Sequence, residues 1–228
     1  MNDRFSRSYR VFGEDNMERI INSRVIVFGL GGVGGAAAEA LARAGVGTLG
    51  IVDKDTVDIT NINRQIIATD KTVGMNKTDA LEERLVTINP DLKINKYNLF
   101  YLPETAEEID LSEYDFVVDC IDNVTAKLEL IERCEKLGIP IISSMGTGNK
   151  LHPEMLEIAD INKTSVCPLA RVIRRELKNR GVKKLTVVYS KEEPVKTHTV
   201  EPGSMSFVPP VAGYLMTSYV VRTILDIM

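Results

Sequence analysis

Cysteine is scarce in this 228-residue chain: Cys120, Cys134 and Cys167, with no Cys-x-x-Cys pair. That spacing supports neither a zinc knuckle nor a disulfide framework, and a reduced, cytoplasmic setting fits it. Two isolated histidines, His152 and His198, define no centre of their own. The opening residues MNDRFSRSYR are charged and hold no apolar segment, which reads against a secretory signal. Internal repeats and low-complexity linkers are absent, so a single continuous domain over 1–228 is expected. The apolar run from Pro209 onward contains Arg222 and Asp226 and opens on two prolines, which makes it a poor membrane span. Excess positive charge is missing too: the net charge is −4, which does not by itself indicate a nucleic-acid binder.

What the chain does have is an alternation of short β-branched runs and helical segments. RVIVFG, GTLGIVD, LKINKYN, YDFVVDC and IPIISSM read as strands, with helices after the first, second and fourth of them at GGVGGAAAEALARAG, NKTDALEERLVTIN and NVTAKLELIERCEKLG. Residues 1–23 read as a helical lead-in. After Gly148, MLEIADI and LTVVYS read as strands around a helix that begins at Pro168, capped by Thr164 or Ser165 and stopped by Gly181. The expected fold is α/β and Rossmann-like: a mostly parallel sheet with helices on both faces, extended by antiparallel strands and a C-terminal helix. Residues about 20–148 form the nucleotide-binding part of that plan.

The first strand runs into VFGLGGVGG, where Gly29, Gly31 and Gly34 spell G-x-G-x-x-G and Asp53 follows 19 residues after Gly34. A tight turn into a helix N-terminus offers backbone N–H groups and a positive dipole end to a phosphate, and the acid suits a ribose hydroxyl. The same signal would serve NAD, so neighbouring residues must discriminate. Asp55, Asn61, Arg64 and Gln65 lie just past the second strand, where α/β sheets hold ligands; a solvated loop is the alternative. Asn76 suits a helix N-cap, which puts Lys77 in the first turn, at the positive dipole end; a nearby anion would offset that cost, unless the lysine simply extends into water. Asp122 and Asn123 lie at the carboxyl tip of the strand in VVDCIDN, where Asn123 is a candidate nucleotide contact, a carboxylate can hold Mg2+ beside phosphates, and either residue can cap the next helix.

RFSR, GLGGVG, VDKDTVDITNINRQ, VGMNK and CIDN, in this order and spacing, resemble the adenylating domain of the ubiquitin-activating-enzyme superfamily. The resemblance implies that Gly29, Gly31 and Gly34 cradle ATP, Asp53 binds ribose, and Arg64, Gln65 and Lys77 contact the phosphates. It further implies that Asp122 holds Mg2+ and that Arg7 reaches the ATP of a second copy in a homodimer. The remainder, from SSMGTG to the basic helix, resembles a narrower branch, the tRNA threonylcarbamoyladenosine dehydratases. That branch implies a tRNA substrate and no DNA, a monovalent cation near SSMGTG, and association with a cysteine desulfurase or sulfur acceptor. Some members also carry an apolar C-terminal tail linked to membranes.

The charge distribution agrees with an RNA partner. Residues 171–184 hold seven cations against Glu176, a net +6 that leaves −10 for the rest. Arg171, Arg174, Arg175 and Lys178 follow i, i+3, i+4, i+7 and form one helical stripe suited to RNA phosphates, with Leu169, Val172, Ile173 and Leu177 opposite. A solvated face is the alternative. Cys167, just before that helix, is a candidate for transient covalent chemistry or for packing. The rival functions are adenylation of the C-terminal glycine of a ubiquitin-like sulfur carrier, hydride transfer with NAD, and nucleotide sensing without turnover.

Overall fold

The computed structural model describes residues 3–199 and 201–227. Seven strands form one sheet: β1 (Arg24–Phe28), β2 (Thr48–Val52), β3 (Lys93–Tyr97), β4 (Phe116–Asp119), β5 (Ile141–Ser144), β6 (Leu156–Asp160) and β7 (Thr186–Ser190). Their order is β3-β2-β1-β4-β5-β7-β6. β1, β2 and β4 are almost wholly buried, as β-branched strands covered on both faces must be.

The helices are α1 (Ser6–Phe12), α2 (Glu14–Asn22), α3 (Gly32–Ala44), α4 (Lys77–Ile88), α5 (Val124–Leu137), α6 (Pro168–Asn179) and α7 (Val208–Ile224). α7 is apolar on most sides because it is a core element. Val208, Ala212, Met216 and Val220 are fully buried with residues of α3, and Thr217 Oγ1 donates to the Ala37 carbonyl at 3.1 Å. Its C-terminal carbonyls are held by Arg19 of α2. Among the described residues no helix is long and apolar enough to cross a membrane.

Two details differ from the sequence reading. Among the described residues only β6 runs antiparallel in the sheet; β7 pairs parallel with β5 and continues the main sheet. Alternating apolar residues cannot distinguish these orientations, because side chains alternate between faces either way. The α6 N-cap is Cys167, with no side-chain bond, and neither Thr164 nor Ser165 caps the helix. Thr164 Oγ1 instead donates to the Ile161 carbonyl at 2.8 Å.

Between β1 and β4 the strand order reverses, with β2 and β3 on one side and β5 on the other. In open α/β sheets the crevice at the carboxyl ends of such strands is where ligands lie. The turns after β1, β2 and β4 all open there.

Candidate nucleotide site

A cavity of about 400 Å³ fills this crevice. Gly29, Gly31, Asp53, Asp55, Asn61, Arg64, Gln65, Lys77 and Asp122 all line it. Residues after 148 contribute as well, through Ser204 and Pro209.

Gly29 has φ +81, and a Cβ there would lie 2.7 Å from the Cys120 carbonyl oxygen. Only glycine can make this turn. Gly31 is the N-cap of α3, so the free N–H groups of that helix face the crevice. Gly34 does not line the cavity: a Cβ there would strike the Gly29 carbonyl oxygen at 1.8 Å. Its place is to let α3 close on the β1 turn rather than to touch a phosphate. Asn123 also lies outside the lining, where it caps α5 by accepting from Ala126 N at 3.0 Å. Arg7 is exposed on α1, away from the cavity of its own chain.

The Asp53 carboxylate accepts from Leu30 N at 2.6 Å and from Asp55 N at 2.9 Å, tying the ends of β1 and β2 together. The chain from Asp55 to Lys77 folds back on itself: Val57 N donates to the Met75 carbonyl, and Lys77 N to the Asp55 carbonyl. This stitching brings the first residue of α4 to the end of β2. Lys77 is buried, with Nζ 3.0 Å from Asp55 Oδ2 and 3.9 Å from Asp53 Oδ2. The reading of Lys77 as a surface lysine is therefore excluded. Burial pulls the Asp55 carboxyl upward, but hydrogen bonds from Lys54 and Lys77 outweigh it and hold the group below its ordinary range.

Asn61 is buried in a reciprocal cap, its Oδ1 accepting from Asp58 N at 3.1 Å while Asp58 accepts from Thr60 N. It shapes the loop that carries Arg64 and Gln65. Arg64 is half-buried and anchored to the Thr60 carbonyl at 2.9 Å. Gln65 is buried, and its Oε1 has no hydrogen-bond partner among the described residues. A buried amide oxygen without a donor beside a glycine loop marks a place where a ligand N–H or O–H completes the hydrogen bonding. Asp122 is exposed at the rim. Among the described residues no group of three or more His, Cys, Asp or Glu could hold a metal ion alone. The donor set fits magnesium resting on one carboxylate and nucleotide oxygens.

Several residues of the site escaped the sequence reading. Leu99, Phe100 and Tyr101 form one wall. Burial pushes the Tyr101 phenol up to about 12, against the pull of Arg133, so it stays protonated. Beneath the β4 turn, Lys127 and Asp119 are wholly buried and paired at 2.7 Å. The signal was present: Lys127 falls at i, i+4, i+7 with Ile131 and Cys134 on the apolar face of α5. Lys127 Nζ also donates to the Ser144 carbonyl at 3.1 Å, within the segment where a monovalent cation was expected.

The basic helix is only partly as expected. Arg171, Arg175 and Lys178 are exposed on α6. Arg174 turns inward and donates to Thr164 Oγ1 at 2.6 Å and to the Thr164 and Ile161 carbonyls. Ala170, Ile173 and Leu177 form the buried face, while Leu169 and Val172 are half-buried. Cys167 is buried among Met145, Leu128 and Ile173, which is packing. His152 is exposed and paired with Glu154 at 2.8 Å, away from the cavity, and His198 is exposed.

A doubly wound α/β fold with a glycine turn, basic side chains and a carboxylate at its switch point defines a nucleotide-binding protein built for phosphate chemistry. The ThiF family model matches residues 5–227, and the chain belongs to that family. It is 41% identical to a tRNA threonylcarbamoyladenosine dehydratase of Bacillus subtilis over 97% of this chain and 94% of that protein. The crystal structure of the Escherichia coli tRNA N6-threonylcarbamoyladenosine dehydratase in complex with AMP superimposes with a TM-score of 0.94 at 32% identity, covering 98% of this chain and 94% of that one. The same enzyme in complex with ATP gives a TM-score of 0.92 over the same coverage.

Proposed function

We propose that this protein uses ATP to dehydrate threonylcarbamoyladenosine in tRNA, next to the anticodon, closing the modified base into a ring. The observation that carries the reading is the cavity itself, where Lys77, Arg64, Gln65 with its unpartnered amide oxygen, and Asp122 line the crevice at the N-terminus of α3. The B. subtilis and E. coli relatives carry the same activity in their names.

In the first step a threonyl carboxylate oxygen attacks the α-phosphorus of ATP, forming the acyl adenylate and releasing pyrophosphate. Lys77 and Arg64 stand where charge develops on the transferring group, and their cationic heads stabilise it. Asp53 takes the ribose, and Val52, Leu99 and Phe100 supply the apolar wall a base needs. Asp122 would hold Mg2+ against the phosphate oxygens, and the ion would supply charge neutralisation there. In the second step a nitrogen of the same modified nucleoside attacks the activated carbonyl and AMP leaves. Nucleophile and electrophile share one substrate, so the protein's task is to hold their geometry and exclude water.

Arg7, outside the cavity of its own chain, is the group we assign to the ATP of a second copy, in a homodimer. Arg171, Arg175 and Lys178, with Lys183 and Lys184 extending the track, are assigned to tRNA phosphates. Arg174 is not, because its guanidinium turns inward, with Nη1 bound to Thr164 and Ile161.

ATP–pyrophosphate exchange tests the reading. Exchange is expected to depend on tRNA carrying threonylcarbamoyladenosine and to be absent with the same tRNA lacking the modification. Exchange driven instead by a carrier protein ending in diglycine would overturn it in favour of carrier activation.

A further inference from the structure

Beneath the cavity lies a cluster that no step above uses. Lys127 is the fourth residue of α5, with its side chain wholly buried. Its ammonium spends its donors on Asp119 Oδ2 at 2.7 Å, Ser143 Oγ at 3.0 Å and the Ser144 carbonyl at 3.1 Å. Ser143 Oγ in turn donates to Asp119 Oδ2 at 2.6 Å. The other oxygen, Asp119 Oδ1, accepts from Ile121 N at 3.1 Å. One ammonium thus joins the end of β4, the end of β5 and the start of α5.

Such a pair is a poor device for stability alone. Removing two charges from water costs several kcal/mol per ion, and apolar residues of similar volume often serve a fold as well or better. Its position suggests another use. The β4 turn it clamps leads directly into Cys120, Ile121 and Asp122, all lining the cavity. The β5 end it clamps leads through Met145 and Gly146 to Thr147, which lines the cavity as well. β4 and β5 are adjacent strands, and their last hydrogen-bonded pair is Asp119 with Ser143. Beyond that pair no ladder fixes the spacing of the two turns, and the ammonium takes over that task.

We infer that Lys127, Asp119 and Ser143 are positioning residues: they fix the separation between the Asp122 turn and the Thr147 turn, and hence between the phosphates and the group that attacks them. This rests on the proposed dehydration. A misplacement of about 1 Å can cost roughly a hundredfold in rate without loss of binding, so the effect belongs in kcat rather than in the KM for ATP.

The test uses Lys127→Met/Asp119→Asn, which removes both charges and leaves no buried ion unpaired. Two quantities are read: steady-state dehydration of threonylcarbamoyladenosine tRNA, and amide hydrogen exchange across 119–124 and 143–148. The expected result is a folded protein with kcat lowered roughly ten- to a hundredfold, KM for ATP within about twofold of wild type, and faster exchange confined to those two segments. A folded double variant with wild-type kcat, or with unchanged exchange in both segments, overturns the inference. Should the double variant fail to fold, Ser143→Ala, which keeps both charges and deletes one hydroxyl, decides by the same readings. Wild-type protein that leaves the tRNA unmodified would sink the functional reading, and the exchange pattern of the variants would still decide this one.

Discussion

Two helix starts at the same edge of the sheet each bury a lysine, and they do so in opposite ways. At the start of α4, Lys77 lies against Asp55, whose side chain is 46% exposed, and at 3.9 Å from Asp53, on the wall of an open cavity. At the start of α5, Lys127 and its partner Asp119 are both at 0% exposure, and every donor of the ammonium is taken within the fold. The first lysine can exchange a carboxylate for a phosphate oxygen. The second cannot exchange anything. In the proposed mechanism the lysine with replaceable partners serves the chemistry, and the one with permanent partners serves the frame that holds it in place.

Single substitutions at the two sites should therefore separate cleanly. The largest effect is expected for Lys127→Met alone, which leaves the Asp119 carboxylate buried and unpaired; thermal or urea unfolding should report a loss of about 3–5 kcal/mol. Lys77→Ala should do the reverse. Asp55 keeps Lys54 at 2.7 Å, so the melting temperature should barely move, while kcat falls on the order of 10²–10³. Near-normal turnover in folded Lys77→Ala would remove it from the site.

The same contrast runs through α6, on a smaller scale. Replacing Arg171, Arg175 and Lys178 by alanine should weaken tRNA binding, lower the salt slope by roughly one per lost phosphate contact, and leave ATP binding alone. Arg174→Ala should instead cost about 1–3 kcal/mol of stability, since the Thr164 carbonyl and hydroxyl lose the Arg174 donor, while the Ile161 carbonyl keeps Thr164 Oγ1. If Arg174→Ala changed RNA affinity as strongly as the triple variant without loss of stability, the division of the stripe would be wrong.

The smallest effect concerns pH. Asp55 sits below its ordinary range in the folded protein, so it binds fewer protons there than in the unfolded chain near its unfolded pKa. It therefore contributes stability above the unfolded value, and that contribution is lost as pH falls through the folded one. Half-exposure limits its size: the melting temperature of wild type should exceed that of Asp55→Asn by about 1–2 °C at neutral pH, with the gap closing below about pH 4.

Most of the fold was legible because parallel strands buried on both faces read as β-branched runs and their helices carry clear stops at Gly45, Gly138 and Gly181. The direction of β7 was not, since alternation is the same in either orientation. In the site, Lys77 stood out because a cation in a first helical turn needs an anion to offset it. Gly34 and Asn123 were assigned to the nucleotide by motif, yet close packing and helix capping account for their places. Arg174 was hidden by the breadth of a helical stripe: spacing puts four cations on one side, but a residue at its margin can fold back onto a neighbouring turn. Ser204 and Pro209 carry no local signal, because only tertiary folding brings the chain before α7 back to the glycine turn.

The central claim, that this nucleotide site activates a carboxylate carried on tRNA, is tested most directly by nucleoside mass. The protein is incubated with Mg·ATP and tRNA bearing threonylcarbamoyladenosine, and the tRNA is digested and weighed under conditions that preserve the ring. The account predicts a modified nucleoside lighter by one water, formed only with ATP and lost in Lys77→Ala. An unchanged nucleoside, from protein that binds ATP and exchanges pyrophosphate with a diglycine carrier, would contradict it.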